Sequence, residues 1–140
     1  MMQRKIIIST KPVFAGDDLT LRLTSFGFDM YHFPTIEICK APLSDLETNS
    51  LKHIPQNSSI IFTSKNGVNY FFEALKNLNH NIPIPTSTKL FAVGLQTENE
   101  IAKHTTNRIF TSPGKNAEDL IEYVEKHHVF SKTETVIFPT

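Results

Sequence analysis

The feature that most restricts this chain is a recurring order: a short apolar run, a break into hydroxyl-bearing residues or glycine, then apolar residues at helical spacing. In its clearest form Ser59-Ile60-Ile61-Phe62 reads as a buried strand and Thr63-Ser64-Lys65-Asn66-Gly67 as a polar turn. Val68, Phe71, Phe72, Leu75 and Leu78 then form one face of a helix. The same order returns in a strand from Lys89 to Val93, a turn at Gly94 and a helix with Thr97 and Glu100 at capping-box spacing. It returns again in a strand Arg108-Ile109-Phe110, a loop Thr111 to Lys115 and a helix capped by Asn116, with Leu120, Ile121 and Val124 facing inward. Strands that alternate with helices imply right-handed crossovers and a parallel sheet covered on both faces, so an α/β, three-layer, flavodoxin-like fold is expected.

The ends of the chain fit the same scheme. Ile6-Ile7-Ile8 reads as a strand that breaks at Ser9-Thr10-Lys11-Pro12. Asp17 caps a helix with Leu19, Leu23 and Phe26 on its inner face, Gly27 ends it, and a strand follows from Phe28 to Phe33. Past Pro34, the alternation Ile36-Glu37-Ile38 predicts a partly exposed strand at a domain crossing. Ser44 and Glu47 have capping-box spacing ahead of a helix with Leu46, Leu51 and Ile54 inward, and Thr135 to Phe138 reads as a last strand.

Composition narrows the function classes. Fourteen basic residues balance fourteen acidic ones, which removes the broad positive field of a nucleic-acid or membrane-surface binder, so neither partner is expected. The single cysteine, Cys39, permits no internal disulfide, reads as a small buried hydrophobe and fits a reducing compartment. With no signal-peptide core and no apolar run of membrane-spanning length, a cytoplasmic location is expected.

In open parallel sheets, ligands bind beyond the carboxyl ends of the strands, where free N–H groups of the following helices favour carboxylates and phosphates. Thr10, Thr63, Ser64, Gly94, Thr97, Thr111 and Ser112 fall there, with Lys65 and Lys115 nearby to meet an anion. Taken singly, each hydroxyl reads as an ordinary helix cap; taken together they converge on one edge. Gly114-Lys115 lacks the remainder of a phosphate-binding loop, no G-x-G-x-x-G or G-x-S-x-G occurs, and the six histidines show no metal-ligand spacing, so no metal is expected. Asp17-Asp18 read as helix-start residues rather than a catalytic pair.

Several segments in order resemble the uroporphyrinogen-III synthase family. They are Ile8-Ser9-Thr10-Lys11-Pro12, Ile60 to Val68, Phe91-Ala92-Val93-Gly94 with Thr97, and Asn116-Ala117-Glu118-Asp119-Leu120, with a strand leading to Phe138-Pro139. Lys11 stands where that family typically carries Arg, which keeps the charge and loses the guanidinium fork. The resemblance implies a cofactor-free lyase that cyclises hydroxymethylbilane, with inversion of ring D, on the route to haem, sirohaem and cobalamin. It also implies two α/β domains flanking a ligand cleft: residues 1–34 opening the first, 35–42 crossing, and 43–140 forming most of the second. The returning half of the pattern has no counterpart here, and the complete protein is expected to be a monomer acting on a small polycarboxylate tetrapyrrole.

By the same resemblance, Thr10, Lys11, Thr63, Ser64, Lys65, Gly94, Lys115 and Asn116 bind substrate carboxylates, and Thr97 is the candidate catalytic group for departure of the substrate hydroxyl. The alternative reading is a non-catalytic flavodoxin-like binding or interaction module on the same half-fold.

Overall fold

The computed structural model describes residues 5–12, 18–79, 82–114, 116–127, 130–131 and 133–139. It divides into two compact units, Met1–Ala41 and Pro42–Thr140.

In the first unit β1 (Ile6–Ser9) pairs in parallel with β2 (Asp29–His32), in a register that sets Ile6 opposite Asp29 and Ser9 opposite His32. The helix between them, α1 (Asp18–Ser25), packs on β2. Gly27 takes φ 85° just past the helix end, where a left-handed residue turns the chain into β2. Asp17, the expected cap, lies outside the described residues. Phe26, expected to face inward, is exposed because the helix ends one residue before it.

Residues 33–44 carry neither helix nor strand, which corrects the strand expected at Ile36 to Ile38. A strand needs a neighbouring ladder, and among the described residues none runs beside Thr35 to Pro42. Cys39 lies in this segment and is exposed rather than buried.

The second unit is a parallel sheet in the order β5-β4-β3-β6, formed by β3 (Ser59–Phe62), β4 (Lys89–Val93), β5 (Ile109–Ser112) and β6 (Val136–Ile137). Side chains alternate across it as the two-residue period requires. Ile60, Phe62, Leu90 and Ala92 pack with Val68, Phe71 and Leu75 of α3 (Lys65–Asn79), Ile101 of α4 (Leu95–Ile101) and Leu51 of α2 (Asp45–Lys52). Phe91 and Val93 face the other way, against Leu120 of α5 (Ala117–His127), with Ile61, Phe110, Val124 and Phe130 around them. The three layers expected from the repeated units are present.

Several local expectations fail for identifiable reasons. Leu46 and Ile121 are exposed, because the sheet-facing stripes of α2 and α5 are narrow and fall on Leu51 and on Leu120 with Val124. Strand β5 begins one residue late and absorbs Thr111 and Ser112, which were expected in the loop. Thr97 does not cap α4: Gly94 turns the chain straight out of β4, and the helix starts at Leu95 with no side-chain cap. The capping box at Ser44 and Glu47 forms as expected, and the hydrogen bonds from the Ser44 hydroxyl and then its N–H hold the Glu47 carboxyl below its ordinary pKa.

Connectivity sets where a ligand crevice opens. The steps β3 to β4 to β5 advance in one direction, with α3 and α4 on one face. The step from β5 to β6 reverses past β3, so the same right-handed crossover places α5 on the opposite face. The strand order therefore reverses between β3 and β6, which is the topological switch point.

Candidate functional site at the carboxyl edge of the second sheet

The two ends of this sheet treat their polar residues differently. At the amino end they satisfy one another. The Ser58 and Thr88 hydroxyls meet at 3.3 Å, and the Asn107 amide donates to the carbonyls of Pro85 (2.7 Å) and Thr88 (3.1 Å). The Glu134 carboxylate accepts from the Ser59 hydroxyl, from Lys89 Nζ at 3.0 Å and from the Ser131 N–H at 3.1 Å. Such closed networks hold the fold and offer nothing to a ligand.

The carboxyl end is open. Thr63 and Ser64 are exposed beyond β3, and the Ser64 hydroxyl accepts the Gly67 N–H at 3.1 Å, capping α3. Lys65 is exposed in the first turn of α3, a turn with no acidic residue, so the positive end of that helix dipole is undiluted. Gly94 follows β4 at φ 76°, ψ 160°, and its carbonyl accepts the Glu98 N–H at 3.2 Å. Thr97 is buried in the first turn of α4.

At the end of β5, buried Ser112 accepts the Gly114 N–H at 3.2 Å. Asn116 caps α5, its side-chain oxygen accepting the Asp119 N–H at 2.9 Å, and the Asp119 carboxylate accepts the Asn116 N–H at 3.3 Å. Lys115 lies outside the described residues. One residue inside β5, Thr111 Oγ1 is buried with no hydrogen-bond partner among the described residues.

The loops of this edge touch. A Cβ added to Gly94 would meet the Gly114 carbonyl oxygen at 3.6 Å, and one on Gly67 would meet the Pro139 carbonyl at 3.7 Å. Thr63, Ser64, Lys65, Gly94, Thr97 and Asn116 accordingly share the edge of one sheet. Thr10 and Lys11 follow β1 in the first unit, exposed, with the Thr10 carbonyl accepting the Thr35 N–H at 3.2 Å. A shallow groove of about 450 Å³ beside α5 mixes Asp119 and Glu122 with Lys126 and His127, a pattern that does not select an anion.

The carboxyls held below their ordinary pKa lie away from this edge. For Glu100, near the end of α4, the hydrogen bond from Lys103 is the main cause. For Glu134 desolvation pushes upward, but the Ser59, Ser131 and Lys89 hydrogen bonds outweigh it. Among the described residues no three or more of His, Cys, Asp and Glu gather to hold a metal, and no helix is long and apolar enough to cross a membrane. Asp119 is the residue at this edge that the sequence did not single out, and the spacing Asn116-x-x-Asp119, a reciprocal cap, was the available signal.

A three-layer parallel α/β sheet with hydroxyls, helix N-termini and close-approaching glycines along its carboxyl edge is a flavodoxin-like domain. Residues 17–140 match the family model described as uroporphyrinogen-III synthase HemD, and the chain belongs to the uroporphyrinogen-III synthase family. It is 29% identical over 116 residues to a uroporphyrinogen-III synthase of Proteus mirabilis, an alignment covering 82% of this chain and 57% of that protein. It is also 29% identical over 91 residues to a porphyrin biosynthesis protein HemD of Ruminiclostridium josui, covering 65% of this chain and 18% of that protein. The chain spans less than two thirds of the length of either relative. The family expected from the sequence segments is the family found.

Proposed function

We propose that this chain supplies the substrate-holding edge of a uroporphyrinogen-III synthase, which cyclises hydroxymethylbilane with inversion of ring D. The observation that carries the reading is the open carboxyl edge of the second sheet, where donors from β3, β4 and β5 lie together in a chain of that family. Hydroxymethylbilane is a flexible polycarboxylate, and much of its reactivity is its own: departure of the ring-A hydroxyl as water leaves an azafulvene that ring D attacks. The protein's task is then to fix the chain of pyrroles so that closure passes through the spiro intermediate, which is work of positioning.

Thr63, Ser64, Asn116 and the backbone at Gly94 donate to acetate and propionate groups, and Lys65 and Lys115 add charge. Thr97 is assigned to the departing hydroxyl, in a water-poor setting that strengthens a hydrogen bond. Thr10 and Lys11 of the first unit bind substrate carboxylates, residues 35–42 serve as the crossing between the two domains, and the working protein is a monomer without a nucleic-acid partner.

The decisive experiment incubates hydroxymethylbilane with the protein and separates the isomers. Uroporphyrinogen III above the spontaneous background of isomer I is expected; isomer I alone would sink the catalytic reading and leave a ligand-binding module. Replacing Thr63→Ala together with Thr97→Ala is expected to raise KM at least tenfold, about 1.4 kcal/mol of lost binding. Unchanged kinetics in that double variant would count against the assigned edge.

A further inference from the structure

The turns that follow the neighbouring strands β4 and β5 carry two glycines, Gly94 and Gly114, and one side chain outside the proposed binding set packs against the second. Asp119, in the first turn of α5, lies directly over the Cα of Gly114: a Cβ placed on that glycine would overlap Asp119 from its Cβ to Oδ2. The carboxylate is itself held in place, accepting the Asn116 N–H at 3.3 Å while Asn116 accepts the Asp119 N–H at 2.9 Å. Gly114 is tied from its other side by the Ser112 hydroxyl at 3.2 Å, and its carbonyl oxygen is the atom nearest the open side of Gly94. Gly94 in turn starts α4 through the Glu98 N–H.

We propose that Asp119 is a positioning residue for the reaction described above, and the inference rests on that reading of the function. Through Gly114 it sets the spacing between the β5–α5 loop and the β4–α4 turn, and so the position of Gly94 and of the first turn of α4, which carries Thr97. A carboxylate suits this place because it is short, accepts the Asn116 N–H and complements the positive end of α5. It also fills the N-terminus of α5 with the protein's own anion. The first turn of α3, by contrast, has no acidic residue.

The test compares Asp119→Ala with Asp119→Asn in the full chain. Asn keeps the volume and an acceptor oxygen for the Asn116 N–H; Ala keeps neither. Two quantities are read: kcat and KM for hydroxymethylbilane, and hydrogen exchange of the Glu98 amide, which donates to Gly94. Asp119→Ala is expected to lower kcat about tenfold, with KM changed less than threefold, and to speed Glu98 exchange at least tenfold. Asp119→Asn is expected to restore both to within about twofold of the parent.

Glu98 exchange at the parent rate in Asp119→Ala would overturn the proposal, because the contact chain would not reach the turn. Equal losses of kcat in Ala and Asn would overturn it too, because charge rather than position would be responsible. If Asp119→Ala does not fold, the Asn variant decides alone: a tenfold loss of kcat in a folded Asn protein rejects positioning, and retention within twofold supports it. A parent protein that forms only isomer I defeats the functional reading itself, an outcome distinct from either failure of the contact chain, which the exchange measurement reads without substrate.

Discussion

Replacing Glu134→Ala should lower the stability of the second unit by about 2–4 kcal/mol, a fall in melting temperature of roughly 10 °C. The side chain is 2% exposed and accepts from groups on three segments: Ser59 at the start of β3, Lys89 at the start of β4, and the Ser131 N–H in the approach to β6. Strand β6 has two residues, so its ladder is too short to dock unaided, and Glu134 is its polar anchor on the sheet. Removing the carboxylate leaves the Ser59 hydroxyl buried and separates Lys89, 33% exposed, from its counter-ion. Partial access of water to Lys89 keeps the cost below that of a fully buried pair.

The pH dependence has a definite sign. The folded-state pKa of Glu134 lies below its ordinary 4.5, so the stabilisation is complete well above 4.5 and is lost as pH falls through the depressed folded value. A Glu134→Gln variant should therefore melt below the parent at neutral pH, and the two should converge on acidification. Thermal melts of both proteins between neutral and strongly acidic pH measure this, and a gap that stayed constant would remove the anchor role.

The architecture was legible in the sequence because its signal is redundant. Ile60, Phe62, Leu90 and Ala92 alternate with Ile61, Phe91 and Val93, and each run ends at a hydroxyl or glycine, so one misjudged boundary does not alter the fold class. Boundaries were less legible where two physical preferences compete. Thr111 and Ser112 read as loop by composition, yet they extend β5 because Ala92 and Val93 on β4 offer a ladder to pair with. Thr97 and Glu100 match the pattern of a capping box, yet Gly94 supplies a turn no side chain could, and the helix begins before the motif.

At the ligand edge, the sequence marked the hydroxyls because they follow strands directly. It did not mark Asp119, whose importance depends on the absence of a Cβ at Gly114. That is a contact between two residues of which neither alone looks unusual. The amino-end network of Glu134, Ser59 and Lys89 was hidden for the same reason, since its members are 75 and 45 residues apart along the chain.

Gly94→Ala should be the single substitution most damaging to the proposed site. At φ 76°, ψ 160° the residue occupies a backbone region essentially reserved for glycine, and forcing a Cβ there costs about 1–3 kcal/mol whatever space surrounds it. The added Cβ would meet the Gly114 carbonyl oxygen at 3.6 Å, an ordinary van der Waals contact, so the cost is the backbone strain itself. The chain can relieve the strain only by rotating the peptide that joins β4 to α4. That rotation breaks the Glu98 N–H bond to Gly94 and displaces the first turn of α4, which carries Thr97. Strands β3 and β4 are buried and paired over Ser59 to Phe62, so the sheet should survive while its edge does not. The expected result is a folded protein with parent-like circular dichroism, a melting temperature lower by a few degrees and a fall of at least a hundredfold in kcat/KM for hydroxymethylbilane. Asp119→Ala should disturb the same turn more mildly, and combining it with Gly94→Ala should add little, since the contact it acts through is already lost. Full additivity of the two losses in kcat/KM would show that they act on separate features of the edge.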